Sequence, residues 1–159
     1  MWGITAGQPI KTLERQGVPV CRLQESGTRE VVCVPVVPLM EYAAEAGLPT
    51  EIGEAYQDRV KRACDSILDD DALNAFGMKG GVLFRGVVRP GNFMYVPAGH
   101  LLVERCLGTT NCYGYRTAAF GRSETSTAAF RRMLEQARTL ADKSDPLVKF
   151  WCTVAEELK

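Results

Sequence analysis

The chain has 159 residues, with 19 basic and 19 acidic side chains and one histidine. That length fits one ordinary domain, and 46% hydrophobic with 24% charged residues excludes disorder, collagen and coiled coil. Zero formal net charge argues against nucleic-acid and anionic-membrane partners, which select an excess of Lys and Arg, and a single histidine excludes a two-histidine metal site within one chain.

The first residues, Met1-Trp2-Gly3-Ile4-Thr5, lack a basic region followed by an apolar run. No signal peptide is read, and the expected location is cytoplasmic. The longest apolar stretch, Val31 to Met40, is broken by Pro35 and Pro38 and falls short of the roughly 20 residues that span a bilayer. Six cysteines at 21, 33, 64, 106, 112 and 152 show no C-x-x-C spacing, so they are expected as reduced, mostly buried thiols rather than a disulfide framework or a zinc site.

Taken along the chain, β-branched runs at 18–23 and 29–34 flank a turn signal and predict an N-terminal β hairpin over 18–34. A helical insertion follows over 36–77. Its first helix begins at Pro38 and is stopped by Gly47. Its second carries Tyr56, Val60, Ala63, Cys64 and Ile67 at helical spacing. Asp69-Asp70-Asp71 suits the N-terminus of a third, short helix. From 82 to 120 the period changes to that of strands. Val82 to Arg89, Asn92 to Val96, Leu101 to Leu107 and Asn111 to Phe120 predict four strands, the last two joined as a hairpin through Gly108-Thr109-Thr110. Two helices over 126–158 close the chain. The second starts with Asp145 as N-cap and Pro146 at N1. All of this is expected within a single domain, 1–159.

Gly91-Asn92-Phe93-Met94-Tyr95-Val96-Pro97-Ala98-Gly99 fits G-x5-P-x-G, the opening of the second cupin motif, and strands follow it as in that family. The glycine permits a tight turn, the proline ends ladder pairing and the last glycine allows a reversal. Over residues 82–120 the chain resembles the cupin superfamily, including its JmjC-like branch. The resemblance implies an α+β protein built on a small antiparallel β-barrel, a double-stranded β-helix or jelly roll, with the helical insertion and two C-terminal helices outside it. It also implies a metal centre whose ligands are missing here. Leu102 stands at the histidine position and Cys106 at the asparagine position, and the only histidine, His100, falls two residues early. No metal and no other cofactor is therefore expected.

With the hairpin in that register, Leu102, Glu104, Cys106, Cys112 and Arg116 share the inward face. Glu104 and Arg116 are diagonal neighbours, and Cys106 faces Cys112. Glu104 and Arg116 read either as a ligand-gripping patch, with the arginine for an anionic group, or as a structural ion pair. His100 at the strand mouth and Tyr95 on the preceding strand complete the candidate ligand-binding set. The expected function is a metal-free cupin-like binding or interaction module for a protein partner or a small ligand, and the helical pattern running to the last residues is compatible with a longer parent chain. Homo-oligomers are compatible with it. The alternative is a metal-independent enzyme using Glu104, Arg116 and His100.

Overall fold

The computed structural model describes residues 1–7, 9–12, 19–48, 54–67, 69–78, 83–118, 124–141 and 144–157. They form two compact units, one from Met1–Val34 with Leu83–Gly121 and one from Pro35–Val82 with Arg122–Lys159.

The first unit is made of eight strands, β1 (Trp2–Ile4), β2 (Pro9–Thr12), β3 (Val20–Ser26), β4 (Thr28–Pro35), β5 (Phe84–Val88), β6 (Phe93–Val96), β7 (His100–Leu107) and β8 (Cys112–Ala118). They make two antiparallel four-stranded sheets in the orders β1-β8-β3-β6 and β2-β7-β4-β5. Period-2 alternation sets the faces. On β3, Val20, Arg22 and Gln24 are buried while Leu23 and Glu25 are exposed. On β7, Leu102, Glu104 and Cys106 are buried. Two apolar clusters fill the space between the sheets. One joins Val31, Cys33, Val88, Val96 and Leu102 with Met94 against them, and the other joins Ile4, Cys106 and Cys112 with Trp2.

The strand order corrects the expected pairing. Every hairpin read from the sequence connects strands of different sheets: β3 with β4, and β7 with β8. A turn signal marks where a strand ends but not which sheet the next strand joins, and both outcomes have the same alternation. Among the described strands, the one consecutive pair that is hydrogen-bonded is β4 with β5, with Val31 opposite Gly86 and Cys33 opposite Phe84. Among the described strands the two sheets do not close into the expected barrel, and β5 and β6 stand at their ends. β1 and β2 went unread because three or four residues carry too little periodicity.

The turn between β5 and β6 follows its residue types. Pro90 and Gly91 occupy its centre, Gly91 has φ 83°, and the Asn92 N–H donates to the Arg89 carbonyl at 2.9 Å, the pattern of a type II turn. Gln24 on β3 pins it by two backbone hydrogen bonds, to Gly91 and Asn92.

The second unit holds α1 (Val36–Glu45), α2 (Tyr56–Asp65), α3 (Asp70–Met78), α4 (Glu124–Leu140) and α5 (Pro146–Glu157). Its buried residues include Leu39, Tyr56, Val60, Phe76, Phe130, Met133 and Trp151, and Tyr56 meets Trp151 edge to face at 5.7 Å. As the sequence indicated, Asp145 caps α5, accepting from Leu147 N–H at 2.8 Å. Its other oxygen accepts from Tyr56 N–H at the start of α2. The start of the second predicted helical region, at 49–53, lies outside the described residues, as do 119–123. No helix of the described residues is long and apolar enough to cross a membrane.

Candidate functional site

Two places between the sheets differ in chemistry, one charged and closed, the other apolar and open. The charged one centres on Glu104. Its Oε2 accepts from Arg22 Nη1 at 2.7 Å, across from the opposite sheet, and its Oε1 contacts Arg29 Nη1 on neighbouring β4. All three side chains are at most 1% exposed. Trp2 lies against both guanidiniums, with Arg29 Cζ 4.2 Å and Arg22 Cζ 5.2 Å from its ring centroid, a cation–π arrangement. Burial lowers the pKa of Arg22 to about 10, with Arg116 adding to the effect. Burial, then the nearness of Arg22, lowers Arg29 to about 10 as well. Both guanidiniums stay charged at neutral pH.

The cross-hairpin route predicted to bring Arg116 beside Glu104 is corrected, because β7 and β8 lie in different sheets. Arg22 and Arg29, which the sequence reading did not name, engage the carboxylate. Arg116 lies opposite Arg22 in the β3–β8 register and is exposed. The inward-facing positions nevertheless agree with the sequence reading for Leu102, Glu104, Cys106 and Cys112, all buried. Cys106 and Cys112 meet in one cluster, from opposite sheets rather than across a hairpin.

The remaining candidates are dispersed. His100 opens β7, half-buried, with Nδ1 3.0 Å from the Ala98 carbonyl oxygen. Burial pushes its pKa below the ordinary 6.5, while that carbonyl works in the opposite direction. Tyr95 is 41% exposed and pairs with Cys21 in register, on the face of its sheet opposite to that of Arg22 and Arg116. The metal centre implied by the cupin resemblance does not fit these residues. Leu102 cannot ligate and sits in an apolar cluster, and no group of three or more His, Cys, Asp or Glu suited to a metal gathers among the described residues.

The open place lies along the edges of β5 and β6. A cleft of about 470 Å³ is lined by Val31 and Cys33 of β4, by all of β5 from Phe84 to Val88, and by Asn92 to Pro97. Its floor is continuous with the cluster of Val31, Cys33, Val88 and Val96. Phe84 points inward opposite Cys33 yet is 62% exposed, so it stands in the opening. Gly86 also faces inward, and a Cβ there would meet nothing within 4 Å. Burial pushes the Cys33 thiol up to about 12, which makes it an apolar wall and not a thiolate nucleophile.

Sequence reasoning missed Arg22, Arg29 and this cleft. The signals were present in the alternation: Arg29 shares parity with Val31 and Cys33, and Gly86 interrupts a strand between Phe84 and Val88. A glycine inside a strand marks a bulge or a close approach by something else. Compared with known proteins, the chain matches no family model and no curated protein.

Proposed function

We infer that the β unit is a metal-free, cupin-like jelly-roll binding module whose site is the cleft between β5 and β6. The strand orders 1-8-3-6 and 2-7-4-5 support the jelly-roll reading, because they are the orders produced when an eight-stranded antiparallel ribbon rolls up so that strand 1 neighbours 8 and 2 neighbours 7. The observation that carries the binding reading is the cleft: its volume falls within the range of about 300–1,000 Å³ in which ligand pockets occur. Its inward side chains are Val31, Cys33, Phe84, Val88, Met94 and Val96, so the ligand it takes is apolar. No lining residue combines a nucleophile with a base, which favours binding over turnover.

The charged cluster does not favour the enzymatic alternative. Both oxygens of Glu104 are engaged, and Tyr95 stands on the outer face of its sheet beside Cys21. The test is a fluorescence titration with Nile red, an apolar dye, on the wild-type chain and on Gly86→Val. The valine fills the cleft without a backbone clash and suits a strand. Saturable binding by the wild type and its loss in the variant are expected; equal binding by both contradicts the site.

A further inference from the structure

We propose that the occupant of the cleft is an extended peptide strand with apolar side chains at alternate positions, added to the free edge of β5. The proposal rests on the apolar-cleft reading and names its ligand class. β5 ends its sheet and pairs only with β4, and β6 ends the other sheet and pairs only with β3. Among the described residues no strand therefore lies beyond β5 or β6, and a strand at the end of a sheet is a template for another.

The side chains around the cleft offer little else to a polar ligand. Arg85 is tied to Glu30 at 2.6 Å, and Asn92 Oδ1 accepts from the Arg89 N–H within the turn. Tyr95 stands on the outer face beside Cys21. On the inner side an incoming strand meets peptide groups at strand spacing, which its backbone matches and a small apolar molecule leaves unmet. Side-chain parity fits as well. Phe84, Gly86 and Val88 face inward at alternate positions, and an added strand directs every second side chain to that face. One of these side chains falls beside Gly86, into the open space there. The inner face of β5 bears no charge, proline or bulge to deter pairing, whereas Arg85 lies on the outer face.

The test uses the full chain and a dye-labelled peptide of about eight residues alternating threonine and valine, long enough to cover a five-residue strand. Its twin carries an N-methyl group on every backbone amide, which keeps the side chains and removes the ladder donors of both edges. Fluorescence anisotropy should show saturable binding of the peptide, with the twin weaker by about tenfold or more and Gly86→Val weakening the peptide similarly. If Gly86→Val fails to fold by circular dichroism, Met94→Phe narrows the cleft from β6 and should have the same effect. Equal binding of peptide and twin overturns strand addition while leaving the apolar cleft intact. Failure of the peptide together with Nile red insensitive to Gly86→Val overturns both readings. A free chain that sediments as a dimer, dissociated by Gly86→Val, assigns the edge to a second copy and overturns the peptide.

Discussion

Glu104 illustrates how a charged group survives between two sheets: a neighbour strand and the facing sheet each supply one arginine. Removing one member of such a buried cluster leaves charge that nothing balances. Glu104→Gln should therefore lower unfolding free energy by about 3–5 kcal/mol in a denaturant melt, while replacing all three by apolar residues of similar volume should be close to neutral. A Glu104→Gln loss below about 1 kcal/mol would show the cluster to be well solvated. His100 contributes a dependence on pH. Because burial favours its neutral form in the folded chain, the unfolded chain binds more protons between the lowered folded value and 6.5. Stability should fall as pH drops through 6.5 and level off below the folded value. Comparing denaturant midpoints of wild type and His100→Gln at about pH 7.5 and pH 5 isolates this term, and a difference that does not change with pH contradicts it. At this scale the sequence showed which residues face inward, since alternation alone determines it. It could not show that Arg22 meets Glu104, because 82 residues separate them and the contact crosses between sheets.

Among the elements, the β3–β8 pair and the start of α5 depend on single residues. The register between β3 and β8 shifts at Gln24/Ser26, a bulge. Gly114 sits opposite Gln24 there, and a Cβ on it would lie 2.0 Å from the Leu23 carbonyl oxygen. Gly114→Ala must displace backbone, so a loss at or above about 3 kcal/mol is expected, against little change for Gly86→Ala. Equal melting of the two variants would contradict the close approach. In the helical unit, Asp145→Ala removes the cap of α5 and the acceptor for Tyr56 N–H. It should cost about 1–2 kcal/mol, read as a lower melting midpoint with unchanged helix content in native buffer. The cap was legible because Asp-Pro before an apolar helical stripe is a local signal. Strand pairing was not legible: turn residues at 27, 89–92 and 108–111 serve an inter-sheet connection as readily as a hairpin.

For the whole molecule, the resemblance over 82–120 carried less of the fold than the chain contains. The eight strands draw on both ends of the β unit, with β1 beside β8 and β2 beside β7. A pattern confined to one quarter of the sequence cannot specify such distant pairings. Because β4 and β5 are, among the described strands, the one pair both consecutive and hydrogen-bonded, and the residues between them belong mostly to the helical unit, the β unit must bring non-local segments together to fold. That arrangement predicts slow folding relative to a helical chain of this size; a stopped-flow folding phase in the microsecond range for β-sheet signals would contradict it. It also leaves β5 and β6 as neighbouring edges of an unclosed sandwich, with an apolar floor between them. The amide chemical-shift map of the chain titrated with octanol tests this site most directly. Saturable shifts should centre on Val31, Cys33, Phe84, Gly86, Met94 and Val96, with Arg22, Arg29 and Glu104 little changed. Shifts centred on Glu104, Arg116 and His100, or none that saturate, would contradict the cleft as the binding site.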